Sequence, residues 1–108
     1  MELEQIRMQI NEVDDRIAQL FCQRMQLCSD VAAYKHANDL RIRDCARDEV
    51  IYARVCDAVP PHLRQYVRQL YQTMLEISRE YQREVMIQTD ETEALHGVRE
   101  QDAQTATL

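Results

Sequence analysis

Residues that form turns are scarce in this sequence, which contains one glycine and two prolines and has no tryptophan at all. A sheet of many short strands needs turn-forming residues between its strands, and so few glycines and prolines do not supply them. Glutamine, glutamate, arginine, leucine and alanine are abundant instead, and these residues favour helices. With 108 residues there is room for one domain and one small core. The composition therefore predicts an all-α protein.

Long apolar runs are also missing. No stretch approaches the ~18 consecutive apolar residues that read as a membrane span. The N-terminal MELEQIRMQI carries charges throughout, unlike a signal peptide. A formal net charge of -6 argues against a nucleic-acid-binding surface. We therefore expect a cytoplasmic protein that binds neither membranes nor nucleic acids.

The cysteines and histidines do not have the spacing of a metal site. Cys22, Cys28, Cys45 and Cys56 form no CxxC pair, and the three histidines are scattered along the chain. Reduced, mostly packed thiols are what such a pattern predicts in the cytoplasm. We expect no bound metal.

The first third of the chain has the pattern of one long amphipathic helix. No glycine or proline interrupts it, and apolar residues recur at alternating spacings of three and four, at Leu3, Ile6, Ile10, Val13, Ile17, Leu20, Leu27, Val31 and Tyr34. A helix of about 35 residues would be ~50 Å long, far longer than a domain of this size is wide. It must protrude from its own fold, so its apolar stripe needs a second chain.

Two further helices follow. Asn38 or Asp39 is expected to end the first helix in a left-handed residue, and Asp44 is a suitable N-cap for the second. Pro60-Pro61 ends the second helix and opens the third, whose apolar residues are Leu63, Val67, Leu70, Met74, Ile77 and Tyr81. From about Ile87 the sequence is polar and aperiodic. We therefore predict a helical domain at residues 1–86 and a flexible tail at residues 87–108.

Several polar residues occupy positions that the helical pattern reserves for apolar ones. In the first helix Arg24 replaces an expected hydrophobe. Lys35, the single lysine beside twelve arginines, lies about 20° around the helix and ~16 Å further along it. Cys28 and Val31 lie between them on the same face. The third helix has a second stripe, Tyr71, Leu75 and Val85, into which Ser78 and Gln82 are inserted, and in the second helix Arg47 shares a face with Ile51 and Val55.

This set of inward cations has two interpretations. A buried unpaired charge costs several kcal/mol, so the arginines must be neutralised or must reach solvent. Either Arg24 and Arg47 pair with core acids such as Asp14 or Glu76 or extend to solvent, or the cations face an anion that is not part of the chain. Taken together, the polar set favours a dianionic ligand, with the inward residues Arg24, Lys35, Arg47, Ser78 and Gln82.

Five stretches of the chain resemble a known family. They are IRMQINEVDDRI with Arg7, LFCQRMQL with Arg24, VAAYKHAN with Lys35, RIRDCARDEV with Asp44 and Arg47, and MLEISREYQ with Ser78 and Gln82. In this order and at this spacing they resemble the all-helical chorismate mutases, over roughly residues 3–84. Each stretch alone is a weak signal, whereas the ordered set is specific.

The resemblance implies a three-helix protomer whose long N-terminal helix crosses that of a twin, giving an intertwined homodimer with two active sites. It also implies an activity, the pericyclic (Claisen) rearrangement of chorismate to prephenate in aromatic amino-acid biosynthesis. This reaction requires no nucleophile, proton transfer, metal or cofactor. Catalysis then means holding the substrate in a reactive conformation and stabilising charge on the breaking ether oxygen.

The resemblance assigns roles to individual residues. Lys35 and Gln82 would donate to the ether oxygen and, with Arg24, form the catalytic group. The substrate-binding residues would be Arg7 of the partner subunit together with this chain's Arg24, Lys35, Asp44, Arg47, Asp48, Ser78 and Gln82, with apolar walls from Val31, Ile51 and Leu75. Within this set the arginines and Ser78 would bind the two carboxylates, and Lys35 and Asp48 would hold the ring hydroxyl.

Two positions depart from the family's pattern. Asp48 stands where glutamate is usual, and Arg79 where a small apolar wall residue is common. Alternative functions are therefore an isochorismate pyruvate-lyase or a 4-amino-4-deoxychorismate mutase, although the Asp44-x-x-Arg47-Asp48 segment favours the chorismate mutase. A different class, a non-catalytic helical dimer acting as an adaptor, would have no reason to keep Lys35 and Gln82 facing inward.

Overall fold

The structure is a computed structural model that describes the backbone of residues 1–107 and the side chains of residues 1–95. Three α-helices follow one another, α1 (Leu3–Ala37), α2 (Cys45–Asp57) and α3 (Arg64–Thr107), with a 3-10 turn at Pro61–Leu63 before α3. No strand occurs in residues 1–107. The prediction of an all-α, three-helix protomer with a long first helix is confirmed.

Local interactions fix both ends of α1. At its start, the side-chain oxygen of Gln5 accepts a hydrogen bond of 2.9 Å from the backbone N–H of Glu2, as in a capping box. At its end, Asp39 adopts a positive φ of 53°, and the Leu40 N–H donates to the Lys35 carbonyl at 2.8 Å. The left-handed residue expected at Asn38 or Asp39 is therefore Asp39.

Local hydrogen bonds also fix both ends of α2. A carboxylate oxygen of Asp44 accepts a hydrogen bond of 3.0 Å from the backbone N–H of Arg47, so Asp44 is the N-cap that the sequence predicted. At the other end, the Arg64 guanidinium donates to the Cys56 carbonyl at 3.1 Å, which connects the last turn of α2 to the start of α3. The second of these bonds holds the C-terminal end of α2 against the start of α3.

The protomer has almost no hydrophobic core of its own. α3 packs against both α1 and α2, yet within residues 1–95 the buried side chains are Ala32, Leu75, Ser78 and Gln82. The radius of gyration is 20.6 Å, against about 13 Å expected for a compact chain of this length. Two of the four buried side chains are polar, so the centre of the protomer has the character of a binding site.

The last helix extends beyond the predicted domain boundary at residue 86, because α3 continues to Thr107. His36 near the end of α1 forms an ion pair of 2.5 Å with Asp90. That residues 87–108 act as a separate flexible tail remains a prediction. None of the helices, within the described residues, combines the length and apolar composition needed to cross a bilayer.

The His36–Asp90 pair predicts a pH-dependent stability. Its hydrogen bond to Asp90 raises the pKa of His36 above its usual value; desolvation opposes this shift, and the charges of Asp90, Glu93 and Asp39 add to it. A raised folded-state pKa stabilises the fold fully below about pH 6.5, and this contribution is lost as the pH rises through the folded pKa.

Asp90→Asn should therefore lower the melting temperature slightly more at pH 5.5 than at pH 8.5, at low ionic strength. Thermal melts of wild type and variant at the two pH values measure this difference. Equal losses at both pH values would mean that the ion pair does not contribute to stability in solution. The exposed Glu91→Gln on the same turn is the control for removing one negative charge.

Candidate functional site

A cavity of about 240 Å³ lies among the three helices and contains nearly all of the predicted site. Its lining residues are Arg24, Leu27, Cys28, Val31, Lys35, Ile42, Asp44, Arg47, Asp48, Ile51, Leu75, Ser78, Arg79 and Gln82. Every residue that the sequence assigned to the site is present except Arg7. The structure thus brings together side chains from α1, α2 and α3 that are up to 58 positions apart, from Arg24 to Gln82.

Arg24 is held in place from α3. Its Nη1 donates to the Ser78 hydroxyl at 2.5 Å, and that hydroxyl in turn donates to the Met74 carbonyl at 2.8 Å. The guanidinium carbon also lies 5.8 Å from the centre of the Tyr71 ring, within range of a cation–π contact. Buried Ser78 therefore orients Arg24, and the remaining guanidinium N–H groups are available to a ligand.

Lys35 reaches into the cavity from the last turn of α1. Its ammonium nitrogen donates to the Ile42 carbonyl at 2.5 Å, in the loop that leads to α2. This single bond uses one of the three ammonium donors. The loop carbonyl therefore aims the ammonium group into the cavity and leaves two donors for a ligand.

Gln82 carries an unsatisfied polar atom. The residue is only 7% exposed, and its side-chain oxygen is buried without a hydrogen-bond partner among the described residues. A buried amide atom without a partner costs of the order of 1–3 kcal/mol. Because rotation by 180° exchanges the oxygen and nitrogen of the amide, Gln82 can offer either an acceptor or a donor to a ligand.

The cavity has a positive side and an apolar side. Within residues 1–95, the ion pairs are Arg7–Glu4, His36–Asp90 and Arg79–Asp48, so Arg24, Lys35 and Arg47 pair with no carboxylate there. The alternative that core acids such as Asp14 or Glu76 neutralise these cations is therefore wrong for the described chain. The apolar lining comes from Val31, Ile51 and Leu75.

This arrangement suits a small molecule with two negative charges and an apolar body. Cations that are not already paired give strong, charge-assisted hydrogen bonds to carboxylates. In this protomer the cavity is open to solvent on one side, where Arg47 is exposed and Val31 is 44% exposed, while Leu75, Ser78 and Gln82 on its other side are buried.

Four lining residues were not among the assigned site residues, of which Cys28 had been placed on the same face of α1 as Arg24 and Val31. Leu27 belongs to the apolar stripe of α1 and adds to the wall. Ile42 lies in the loop between helices, where periodicity gives no signal. Arg79 stood out only as a departure from the family's pattern, and the structure pairs it with Asp48, its Nη1 lying 3.2 Å from a carboxylate oxygen.

Arg7 lies outside the cavity of its own chain. It is an exposed side chain in the second turn of α1, paired with Glu4 at 2.8 Å. Seventeen residues separate Arg7 from Arg24, which is ~25 Å along a straight helix. Within one protomer these two arginines therefore do not bind the same small ligand.

Comparison with known proteins gives two findings. Residues 6–83 match the family model described as chorismate mutase type II. A chorismate mutase from Methanocaldococcus jannaschii is 37% identical over 54 residues, which cover 50% of this chain and 54% of that relative. The chain thus spans about half the length of the curated relative it matches. No solved structure matches the chain.

Proposed function

Because the chain belongs to the chorismate mutase type II family, we propose that it converts chorismate to prephenate by an intramolecular pericyclic rearrangement. The observation that carries this proposal is the set of cations that pair with no carboxylate within residues 1–95, Arg24, Lys35 and Arg47, around one apolar-walled cavity. Chorismate has two carboxylates, a neutral ring hydroxyl and an ether oxygen. In the reaction the ether C–O bond breaks and a C–C bond forms, with no proton transferred.

The two carboxylates bind to the arginines. Arg24, oriented by Ser78 at 2.5 Å, presents a guanidinium fork to one carboxylate. Arg47 lies in the first turn of α2, where the helix N-terminus also favours a negative charge. These contacts fold the enolpyruvyl group over the ring, and such positioning removes much of the entropic barrier of the reaction.

The ether oxygen is the atom on which negative charge grows in the transition state. Lys35 retains two free donors, and the NH2 group of the buried Gln82 amide is the donor that this side chain presents to the oxygen. Donors that are fixed before the reaction stabilise this charge without reorganising, and each typically contributes about 10²–10³-fold in rate. Lys35 and Gln82 are thus the proposed catalytic donors.

The ring is held by its hydroxyl and its faces. Asp44 caps α2 with one carboxylate oxygen, and Asp48 bonds to Arg79 with one of its own. The proposed acceptor for the ring hydroxyl is the second oxygen of Asp48, with Lys35 as a donor to the same hydroxyl. Val31, Ile51 and Leu75 contact the apolar faces of the ring. No step requires a metal or an organic cofactor.

The protein is proposed to act as an intertwined homodimer. The apolar stripe on the first half of α1 is exposed by between 41% and 62% in a single protomer, at Leu3, Ile6, Ile10, Val13, Ile17 and Leu20. Such a continuous apolar face is typical of a subunit interface. A twin helix crossing it would bring Arg7 of the partner subunit to the carboxylates that Arg24 and Arg47 hold.

We place the enzyme in the cytoplasm. All four cysteines carry free thiols; Cys22 and Cys45 are exposed, and Cys28 and Cys56 are partly buried. The prediction of mostly packed thiols therefore holds for two of the four. Exposed free thiols persist in a reducing compartment.

Loss of the ultraviolet absorbance of chorismate on addition of the purified protein tests the proposal directly. The expected result is turnover far above the uncatalysed rate, with prephenate as the product and no dependence on added metal. Isochorismate assayed in parallel would yield fluorescent salicylate if the protein were instead the lyase. Absence of turnover with chorismate would contradict the proposed function and leave the adaptor alternative.

The neutral amide at position 82 predicts how activity depends on pH. Because an amide does not titrate, its donation to the ether oxygen is constant, and kcat of the wild type should be flat from about pH 6 to 8. In Gln82→Glu the introduced carboxyl donates only when protonated, so kcat should rise as the pH falls.

Steady-state kinetics of both proteins over this range provide the measurement, with exposed Arg83→Gln on the same helix turn as the control. A Gln82→Glu enzyme that is fully active at pH 8 would show that this side chain does not contact the ether oxygen.

A further inference from the structure

Among the described residues lining the cavity, Arg79 is the one cation that already has a carboxylate partner. Its Nη1 lies 3.2 Å from Oδ2 of Asp48, and the two side chains are only 15% and 18% exposed. Arg79 belongs to α3 and Asp48 to α2, so the ion pair joins the two helices at one side of the cavity. Low exposure limits screening of such a pair by solvent and salt.

The Arg79–Asp48 pair also separates the cavity from a second one. A more polar space of about 290 Å³ lies on the far side, lined by Asp48 and Arg79 together with Arg43, Glu49, Tyr52 and Gln72, among others. Both residues line both spaces. The pair is therefore the wall between them, and the position of the Asp48 carboxylate depends on Arg79.

The charge of this wall restricts what can lie against it. A lone carboxylate accepts a hydrogen bond from a hydroxyl, and it attracts an ammonium group more strongly because of the opposite charge. With a guanidinium 3.2 Å away, the Asp48–Arg79 pair has no net charge. An ammonium group placed against Asp48 would then lie close to a like charge, which is unfavourable.

We propose that Arg79 determines substrate class at this site: by neutralising Asp48, it selects a ring that carries a neutral hydroxyl and rejects one that carries an amine cation at the same position. This inference rests on the proposed function. Arg79 acts through Asp48, so it is a positioning and specificity-determining residue. The two substrates that Arg79 distinguishes are chorismate and its amine analogue, 4-amino-4-deoxychorismate.

The test is the ratio of kcat/KM for the amine substrate to kcat/KM for chorismate. Arg79→Met removes the charge and keeps an unbranched side chain, so the ratio should rise by about tenfold or more, which corresponds to ~1.4 kcal/mol. Arg79→Lys keeps the positive charge and should leave the ratio within about threefold of wild type. Exposed Arg83→Met, four residues along α3, controls for loss of a positive charge elsewhere.

The wild-type enzyme provides a second measurement that needs no variant. Aliphatic amines lose their proton between about pH 7.7 and 10.4, so the ratio should rise with pH over that range as the amine substrate becomes neutral. Effects of pH on the enzyme itself act on both substrates and cancel in the ratio.

The outcomes separate this inference from the proposed function. Turnover of chorismate with an unchanged ratio in Arg79→Met overturns the inference alone. If Arg79→Met does not fold, the pH dependence of the wild-type ratio is the test. The inference is then overturned if this ratio does not change with pH, or if the amine substrate is preferred over chorismate at pH 7. Absence of turnover of either substrate by the wild type contradicts the proposed function itself.

Discussion

Lys35→Ala should lower kcat by about 10²–10³-fold and change KM much less, because the bond from Lys35 to the ether oxygen strengthens as charge develops there. In the free protein the ammonium group is already aimed by the Ile42 carbonyl at 2.5 Å. The donor is thus in position before the substrate arrives. Steady-state kinetics with chorismate at saturating and limiting concentrations separate the two parameters.

The matched control for Lys35→Ala is Arg41→Ala, which removes an exposed positive charge from the adjoining loop outside the cavity. Because Lys35 also bonds to that loop, thermal melts of both variants are needed to show that α2 is still correctly placed. A well-folded Lys35→Ala protein within about threefold of wild-type kcat would remove Lys35 from the mechanism.

Arg7→Ala and Arg24→Ala homodimers should each be nearly inactive, whereas a mixture of the two should recover about a quarter of wild-type activity. In a mixed dimer, the site built on the Arg7→Ala chain keeps its own Arg24 and borrows an intact Arg7 from the partner subunit. The other site lacks both arginines. Random pairing of equal amounts makes about half of the dimers mixed, each with one complete site.

Because subunits of the proposed intertwined dimer would exchange only after unfolding, the two variants are co-expressed with different tags. The mixed dimer purified by both tags should have about half of wild-type activity, against about a quarter for the unfractionated mixture. A mixture of Arg24→Ala with Lys35→Ala is the matched control, because both residues line the cavity of their own chain. That mixed dimer has no complete site and should not be rescued. Activity of the Arg7–Arg24 mixture no higher than the average of its parents would contradict the shared site.

The sequence predicted those parts of the site that depend on one helix at a time. Periodicity placed Arg24, Cys28, Val31 and Lys35 on one face of α1, and the structure finds all four lining the cavity. Asp44 was recognisable as an N-cap because capping depends on neighbours within one turn. The end of α1 and the start of α2 followed from the same short-range rules, whereas α3 continues past the predicted boundary at residue 86.

The features that the sequence did not predict are contacts between separate parts of the chain, because no single helix determines them. The Lys35–Ile42 bond requires the loop after α1 to fold back on it, and a loop has no periodicity to show this. The Arg79–Asp48 pair joins residues 31 positions apart on two helices. The family resemblance showed only that both positions are unusual, and periodicity says nothing about which charges meet across a helix interface.

The scarcity of buried side chains has a consequence for how this protein can change. Ser78 and Gln82, two of the four buried residues in the described chain, are polar, at 3% and 7% exposure, and both belong to the proposed site. Hydrophobic residues of similar size at these positions would supply the packing that the protomer lacks, and replacing buried polar groups in this way often stabilises a fold. If the proposed function holds, selection for thermal stability alone would therefore replace Ser78 and Gln82 at the expense of catalysis.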